Sequence, residues 1–398
     1  MTGSALRIEP FAETTPADAI DDLRRRLRAT RWFDAPQGDG WSLGVDLTTL
    51  QALAAYWADG FDWLAQEAAL ALLPRFRADL GGTAVHLVHA RAAQPAPALL
   101  LAHGWPDSFW RYSKVIPLLV DPGAHGADPA DAFDVVVPDM PGYGYSGTPE
   151  GPPLSAIDVA GLWAHLMTGL GHDRFLAAGG DIGSHVARYL ALDFPDRVVA
   201  VHRTDGGLPP GTLDAADLSE PERRWLQETA RWSATEGAYA AMHRTKPQTA
   251  AAGLVDSPVG LLAWIVEKLR SWSDCGGDLA SVYTQDEILT LVSMYWFTGT
   301  IGSSMRMYAA NGAISPEQLL RRVEVPSGFS LHPGDILRPP REWLARSTNL
   351  VSLTEPVRGG HFAAFEDPQG YAEELRRFFR PYRDAALGAD AGNMRVAG

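Results

Sequence analysis

Short apolar runs alternate with helical patterns through the central and C-terminal parts of the chain. Each run has four or five residues and is bounded by polar residues, Gly or Pro, as expected for strands buried in a sheet. The predicted strands are residues 98–102, 133–137, 175–178, 198–201, 328–331 and 350–353. Helical patterns over residues 157–170 and 184–194 lie between them. This alternation predicts an α/β fold with a mostly parallel sheet.

The N-terminal quarter of the chain has mainly helical periodicity. An amphipathic pattern over residues 17–32, with a basic second half, has four apolar residues near one face: Ile20, Leu23, Leu27 and Trp32. A second helical pattern over residues 47–72 is weakened by Gly60, and three large apolar residues share its face: Trp57, Phe61 and Leu64. A strand pair around residues 76–88 is divided by two glycines. We expect a helical appendage over residues 1–95.

The alternation of strands and helices breaks between residues 208 and 323, where long helical patterns rich in tryptophan take over. A helical insertion at this point would lie over the C-terminal edge of the parallel strands, where open α/β sheets place their sites. The sequence therefore predicts four segments. They are the N-terminal appendage (1–95), the first part of the core (96–207), a helical lid (208–323) and the second part of the core (324–398).

Composition and charge restrict the class of protein. The formal charge of −14 argues against a nucleic acid or an anionic membrane as partner. The single cysteine, Cys275, excludes a disulfide framework within the chain and a metal site built from several cysteines. The first residues include Glu9, Glu13 and Asp18 and contain no apolar stretch, which predicts neither a signal peptide nor a membrane anchor. A cytoplasmic enzyme fits these features.

Candidate chemistry begins at Gly179-Gly-Asp-Ile-Gly183, where a predicted strand turns into a predicted helix. Small residues on both sides of a central nucleophile form the nucleophile elbow of α/β-hydrolases, whose centre is usually Ser. Here the centre is Asp181. A serine that attacked an alkyl carbon would leave a stable ether, whereas a carboxylate leaves an ester that water can cleave. The motif therefore favours displacement at carbon, and the alternative is a Gly-rich turn with a capping Asp.

A histidine base is expected near the C-terminus, because the chain order in this fold is nucleophile, acid, histidine. His361 is the candidate, since it lies in a loop after the last strand and follows two glycines. Three other histidines also lie at strand ends and compete with it: His103, His202 and His332. Two residues are candidates for the orienting acid. Asp335 follows the penultimate strand and fits the chain order better, but Asp205 stays open; Asp139 is interpreted as a turn residue.

Two backbone N–H groups and a set of tyrosines complete the predicted site. The loop after the first core strand, His103-Gly-Trp-Pro106, and the residue after the nucleophile predict an oxyanion hole formed by the N–H groups of Trp105 and Ile182. An epoxide that opens develops an alkoxide, which needs an O–H donor, whereas a departing halide needs N–H donors. The predicted lid contains four tyrosines for the first role: Tyr239, Tyr283, Tyr295 and Tyr308.

With these residues in place, the chain resembles the microsomal-type epoxide hydrolases, the group with an epoxide hydrolase N-terminal domain. The resemblance covers residues 7 to 380 approximately. Its further motifs are Pro141-Gly-Tyr-Gly-Tyr-Ser146, Lys246-Pro-Gln-Thr249, Asp256-Ser-Pro-Val-Gly-Leu261, Glu267-Lys268 and Arg358-Gly-Gly-His-Phe-Ala-Ala-Phe365. The resemblance implies an α/β-hydrolase fold with a helical lid, an epoxide as the small-molecule substrate, and no metal or organic cofactor. It leaves open whether the chain forms a homodimer.

The resemblance also implies roles for individual residues. Asp181 is the nucleophile, His361 the base and Asp335 the carboxylate beside it, while Tyr239 and Tyr308 are the tyrosine acids. Several members of the family have Glu where Asp335 stands. The membrane anchor of the microsomal members is absent from this sequence, so the chain resembles the soluble bacterial members. A subset of these acts on aryl epoxides in natural-product pathways, and the resemblance leaves open whether the role here is detoxification or biosynthesis.

Two other classes of protein share parts of this pattern. Haloalkane and haloacid dehalogenases have the same Asp elbow, but haloalkane enzymes usually have Trp after the nucleophile and haloacetate enzymes have Arg. This chain has Ile182 there. A non-catalytic binding protein of the same fold would require Asp181, Asp335 and His361 to coincide by accident. Release of halide separates the dehalogenases from a diol-forming enzyme, and the absence of any covalent adduct would favour the binding protein.

Overall fold

A nine-stranded sheet lies at the centre of the structure, a computed structural model that describes residues 6–36, 38, 40–207 and 215–388. The strands are β1 (Ile8–Pro10), β2 (Arg75–Leu80), β3 (Thr83–Ala90), β4 (Ala98–Ala102), β5 (Asp134–Pro138), β6 (Phe175–Gly179), β7 (Val198–Arg203), β8 (Val323–Ser330) and β9 (Thr348–Thr354). Their order across the sheet is β1-β2-β3-β5-β4-β6-β7-β8-β9. β1 to β3 and the β3–β5 pair are antiparallel, and the remaining pairs are parallel.

The predicted α/β-hydrolase fold is confirmed. All six strands predicted from apolar runs are present, although β8 begins earlier than predicted, at Val323. Every residue of β4 and β6 is buried, because helices cover both faces of a parallel sheet. This burial explains why the two strands consist of apolar residues throughout.

The helices lie before, between and after the strands. They are α1 (Ala17–Arg28), α2 (Leu47–Asp59), α3 (Trp63–Leu70), α4 (Ile116–Val120), α5 (Ala156–Gly169), α6 (Ile182–Asp193), α7 (Glu220–Thr235), α8 (Ala238–Thr245), α9 (Pro247–Leu254), α10 (Pro258–Trp272), α11 (Gln285–Thr298), α12 (Ile301–Gly312), α13 (Pro316–Leu319), α14 (Arg341–Ser347), α15 (Ala363–Glu366), α16 (Pro368–Phe379) and α17 (Arg383–Ala386). Helices α7 to α13 occupy the chain between β7 and β8. The predicted boundary at residue 208 lies outside the described residues.

The N-terminal region differs from the helical appendage that its sequence suggested. Strands β1 to β3 extend the main sheet, and β3 pairs with β5. The second predicted helix is divided into α2 and α3, because the carboxylate of Asp62 accepts a hydrogen bond from the Ala65 N–H and begins a new helix after Gly60. Trp32 lies beyond the end of α1 and is 40% exposed, and Leu64 is 55% exposed. Both residues therefore lie outside the apolar faces predicted for them.

The N-terminal helices pack against the helices inserted between β7 and β8. The Trp57 Nε1–H on α2 donates a hydrogen bond to the Ser293 hydroxyl on α11 over 2.9 Å, and the Tyr56 hydroxyl donates to Asp286 over 2.8 Å. Helices α1 and α2 also contact α10. The N-terminal region therefore supports the insertion from outside. Among the described residues, no helix has the length and apolar character needed to cross a membrane.

Candidate active site

Asp181 lies at the sharp turn between β6 and α6. Its φ of 54° is positive, and it is the one residue other than glycine with this property in the described part of the chain. The turn also requires glycines beside it. A Cβ on Gly179 would lie 2.3 Å from the Gly183 carbonyl oxygen, and one on Gly183 would lie 2.0 Å from the Ala102 carbonyl oxygen. These contacts are with backbone, so they cannot relax by a change of rotamer, and the strained turn places Asp181 where the strands end.

The two carboxylate oxygens of Asp181 have different partners. Oδ1 accepts a hydrogen bond from the Trp105 backbone N–H over 2.7 Å, and Oδ2 lies 3.2 Å from the Nε2 of His361. A Cβ on Gly104 would lie 2.1 Å from Oδ1, so only glycine lets the loop after β4 approach this closely. Burial by itself raises the pKa of Asp181, but His361 and the N–H groups of Ile182 and Trp105 outweigh it and lower the pKa. The carboxylate is therefore ionised at neutral pH.

His361 lies between two carboxylates. Its Nδ1 is 2.8 Å from the Oδ1 of Asp335, on the side opposite Asp181, and the side chains of His361 and Asp335 are both buried. Burial alone lowers the pKa of His361, but Asp335 and Asp181 outweigh it and raise the pKa to about 10. A bridge between Gly334 and Gly360 aligns the two loops that carry His361 and Asp335. The structure thus brings Asp181, His361 and Asp335 into one chain of contacts.

The other candidate acid lies elsewhere in the cavity wall. The Oδ2 of Asp205 is 4.0 Å from the Nε2 of His185, and its Oδ1 accepts a hydrogen bond from the Gly207 N–H over 2.6 Å. Asp139 is buried in a network below the site. Its carboxylate accepts hydrogen bonds from the N–H groups of Phe109 (2.7 Å) and Tyr145 (3.1 Å).

The three competing histidines have hydrogen-bond partners within the core. The Nε2 of His103 accepts a hydrogen bond from the Met140 N–H over 2.9 Å. The Nε2 of His202 lies 3.0 Å from the Ser330 hydroxyl, and the Nδ1–H of His332 donates to the Arg358 carbonyl over 3.1 Å. All three side chains are buried, and none of them lines the cavity that contains Asp181.

Asp181 lies in the wall of a cavity of about 260 Å³ beneath the inserted helices. Its lining includes, besides Asp181, His361 and Asp335, the side chains of Trp232, Tyr239, Tyr308, Ile336, Leu337 and Asn311. Tyr239 on α8 and Tyr308 on α12 have ring centroids 6.0 Å apart. Burial raises the pKa of both tyrosines, with Asp181 adding to the shift, so both hydroxyls are protonated. Two protonated phenol side chains thus line the cavity that contains Asp181.

The remaining two tyrosines of the insertion do not line this cavity. The Tyr283 hydroxyl lies 2.7 Å from the Ser273 hydroxyl, and the Tyr295 hydroxyl donates a hydrogen bond to the Asp107 carbonyl over 2.9 Å. These two side chains pack in the core between the insertion and the sheet.

Trp105 and Lys268 hold Tyr239 in position. The Trp105 ring stacks on the Tyr239 ring with centroids 5.5 Å apart and an angle of 13° between the planes. The buried ammonium group of Lys268 lies 4.7 Å from the centroid of the Tyr239 ring, within the range of a cation–π interaction. Trp105 therefore provides both a backbone donor to Asp181 and a platform for the tyrosine above it.

Two residues that the sequence did not indicate, the buried Arg111 and the partly buried Glu366, support the loop of His361. Arg111 forms a buried ion pair with Asp107 over 2.8 Å and donates a hydrogen bond to the His361 carbonyl. The carboxylate of Glu366 accepts hydrogen bonds from the N–H groups of Gly360 and Phe362, both over 2.9 Å. The peptide groups on both sides of His361 are thus fixed. Arg111 is 250 positions away from His361 along the chain, and no local pattern signals such a contact.

The described residues contain no group of three or more His, Cys, Asp or Glu side chains arranged to hold a metal ion. The site instead consists of a buried carboxylate, an imidazole beside one of its oxygens, a backbone donor to the other, and two phenols in the cavity wall. Such a set can form a covalent ester at Asp181 and then hydrolyse it.

Comparisons with known proteins find matching family models and relatives that cover most of the chain. Residues 8–112 match the family model described as "Epoxide hydrolase N terminus", and residues 97–247 match that of the alpha/beta hydrolase fold. A protein of Stigmatella aurantiaca that is provisionally named an epoxide hydrolase is 40% identical over 94% of this chain and 86% of its own length. Epoxide hydrolase 1 of Sus scrofa is 32% identical, with 93% of this chain and 88% of the pig protein covered.

Solved structures give the same result. The juvenile hormone epoxide hydrolase of the silkworm Bombyx mori superimposes with a TM-score of 0.85 at 29% identity, covering 95% of each chain. The epoxide hydrolase of Aspergillus niger gives a TM-score of 0.83 at 30% identity, covering 95% of this chain and 97% of that one.

Proposed function

The chain belongs to the epoxide hydrolases of the α/β-hydrolase fold, and from this premise we propose how it adds water to an epoxide to form a vicinal diol. The carboxylate of Asp181 attacks an epoxide carbon, and water activated by His361 then cleaves the resulting ester. One observation carries the proposal: the two oxygens of Asp181 are separated into one held by a backbone donor and one facing an imidazole.

This separation supports a choice between the two oxygens as the nucleophile. Oδ1 lies 2.7 Å from the Trp105 N–H, in the position where a backbone donor can stabilise negative charge on a carbonyl oxygen. We therefore propose that Oδ2 attacks the epoxide carbon and that Oδ1 becomes the ester carbonyl oxygen. When water later adds to the ester, the developing charge falls on Oδ1, where the N–H groups of Trp105 and Ile182 stabilise it.

The tyrosines of the cavity act on the epoxide oxygen. Opening the ring converts that oxygen into an alkoxide, which a nearby O–H group stabilises by a hydrogen bond or by giving its proton. Tyr239 and Tyr308 lie in the wall of the cavity that contains Asp181, and their burial disfavours a lasting tyrosinate. A second proton source must therefore restore the phenol.

His361 can supply that proton because ester formation changes its environment. Asp335 and Asp181, on either side of the imidazole, raise the pKa of His361 to about 10, so the imidazole carries two protons before reaction. Alkylation turns Asp181 into a neutral ester and removes one of the two charges that raise this pKa. We propose that the released proton neutralises the alkoxide or tyrosinate, which leaves His361 as a neutral base for the second step.

Hydrolysis of the ester then follows from the position of His361. Its Nε2 faces Oδ2 of Asp181, so a water molecule on this side can give its proton to Nε2 while its oxygen adds to the Asp181 carboxyl carbon. Asp335 stabilises the imidazolium that forms. Collapse of the adduct breaks the bond between the carboxyl carbon and Oδ2. The second proton of the water passes from the adduct to Oδ2, so the diol leaves with Oδ2 as its second oxygen, Asp181 is again a carboxylate and His361 again carries two protons.

A single turnover in water enriched in ¹⁸O tests this scheme. With enzyme in excess over an epoxide, we expect a diol without label and one ¹⁸O atom in the peptide that contains Asp181, because the diol takes its second oxygen from the carboxylate. Mass spectrometry of the diol and of a proteolytic digest measures both. A labelled diol with an unlabelled Asp181 peptide would instead show that water attacks the epoxide directly.

Replacing the cavity tyrosines should slow the first chemical step. We expect Tyr239→Phe and Tyr308→Phe each to slow ester formation by about 10²-fold, the low end for a positioned acid, with much less effect on ester hydrolysis. Rapid-mixing measurements of the two steps provide the comparison. Tyr283→Phe is the matched control, since Tyr283 is a buried tyrosine of the insertion outside the cavity. A double Phe variant that forms the ester at the wild-type rate would exclude both tyrosines.

The cavity also indicates the kind of substrate. Trp232, Ile336 and Leu337 contribute apolar surface to its wall, which favours an epoxide that carries an aryl or alkyl group.

We further propose that α8 and α12, which bear the two tyrosines, act as part of a lid over Asp181. The free cysteine Cys275 fits a reducing compartment such as the cytoplasm. Screening styrene oxide, alkyl oxides and fused-ring epoxides for diol formation identifies the class of epoxide that the enzyme accepts.

A further inference from the structure

A second cavity, of about 330 Å³, lies beside the first, and His185 contributes to the walls of both. We call it the arginine cavity. Its charged and ionisable lining consists of His185, Arg188, Arg203 and Arg346. Within the part of the chain that the structure describes, no carboxylate side chain lines it. This is unusual for a protein with a formal charge of −14.

Arg203 is the exceptional member of this cavity. Its side chain extends from the end of β7 and is 2% exposed, yet in the described residues its buried Nε has no hydrogen-bond partner and its guanidinium forms no ion pair. The Cζ atom of the guanidinium lies 5.0 Å from the centroid of the Phe329 ring, within the range of a cation–π interaction. A buried charge without a partner is costly, because the protein replaces the water that would solvate it with nothing equivalent.

The groups around Arg203 offer its guanidinium no ion pair. The guanidinium of Arg188 binds backbone carbonyl groups, among them that of Leu319 over 2.9 Å. Arg346 is paired with Glu222, which is buried and lies outside the cavity wall. The carboxylate of Asp205 is nearest to His185 and forms no ion pair with Arg203. Two arginines without a carboxylate partner thus face a space large enough for a small molecule.

We propose that the arginine cavity binds a small oxyanion, a carboxylate or a phosphate group, with Arg203 as its principal ligand. The guanidinium presents several N–H donors in one plane, which matches the oxygens of either group. Such an anion has two sources: a free anion, or an acidic group on an epoxide whose reacting end lies in the adjoining cavity. The inference goes beyond the proposed function, and its first test does not depend on catalysis.

Thermal unfolding in the presence of anions tests the proposal. We expect saturating sodium phosphate or acetate to raise the melting temperature of the wild-type protein by about 2 °C or more above sodium chloride of equal ionic strength, because a ligand stabilises the state that binds it. Arg203→Met should lose this rise. Arg231→Met, at an exposed position on α7 outside the cavity, should keep it.

A second variant keeps the test decisive if Arg203→Met does not fold. Leu320 lies at the rim of the arginine cavity and is 49% exposed, so Leu320→Glu brings a carboxylate to the rim with little disturbance of the core. We expect Leu320→Glu to reduce the response to phosphate and acetate. A wild-type protein that responds to neither anion beyond the chloride control would overturn the proposal, as would variants that respond in full.

A pair of substrates distinguishes the two sources. An epoxide with a carboxylate and its methyl ester are compared by kcat/KM in the wild type and in Arg203→Met. A preference for the acid that disappears in Arg203→Met identifies the substrate as the source. An unchanged preference, together with the thermal shift, identifies a free anion. If the wild-type protein hydrolysed neither epoxide but showed the thermal shift, the result would contradict the proposed function and would still support the anion site.

Discussion

Replacing His361 with glutamine is expected to stop the enzyme after its first chemical step, so that an ester on Asp181 accumulates. Attack by Asp181 needs no base, because its carboxylate is already ionised. Hydrolysis of the ester does need one, since neutral water is a poor nucleophile. Loss of general-base assistance typically slows a step by about 10²–10⁴-fold. We expect a loss of this size in turnover, with the ester still formed but more slowly, because the variant also lacks the proton that His361 gives to the alkoxide or tyrosinate in the first step.

Intact-protein mass spectrometry measures this outcome. After addition of an epoxide that the wild type hydrolyses, His361→Gln should gain the mass of one substrate, and proteolysis should locate it on the peptide that contains Asp181. His125→Gln is the control, because His125 is exposed and does not line the cavity that contains Asp181. The absence of an adduct on a folded His361→Gln variant that still binds substrate would argue against a long-lived ester.

The elements that could be predicted from sequence are those whose signal is local. The strands around the site are short, wholly buried apolar runs, and the elbow is marked by glycines at positions 179 and 183 that the backbone contacts require. The positions of His361 and Asp335 followed from the order of functional residues in this fold, because loops after parallel strands meet at one edge of the sheet. The structure adds the 2.8 Å distance between Nδ1 of His361 and Oδ1 of Asp335, which the sequence does not give.

The features that were missed depend on contacts between distant parts of the chain. Strand β1 has three residues and is defined by its pairing with β2, which no local pattern reveals. The support of the His361 loop by Arg111 and Glu366 joins charged residues that look like surface residues in the sequence. Arg203 likewise resembles any polar residue at the end of a strand. Its isolation depends on which side chains surround it after folding.

Asp335→Asn is the second change from which we expect a large effect. Asparagine keeps the size of the side chain and an oxygen that can accept hydrogen bonds from the Ile336 N–H and from Nδ1 of His361, but it removes the negative charge. Because that charge is the larger of the two electrostatic contributions that raise the pKa of His361, the variant should have a lower His361 pKa and a less stable imidazolium.

The loss should therefore fall on ester hydrolysis, by about 10²–10⁴-fold as for other bases that lose their orienting carboxylate, while ester formation changes little. Single-turnover measurements of both steps across pH supply the comparison, with the pH dependence of hydrolysis shifting to lower pH in Asp335→Asn. Asp335→Glu retains the charge and should recover much of the rate. Asp205→Asn is the matched control, since Asp205 lines the same cavity without contacting His361. If Asp205→Asn slowed hydrolysis more than Asp335→Asn did, Asp205 would take the role of the acid, and the 2.8 Å contact between Asp335 and His361 would serve the fold of the loop instead.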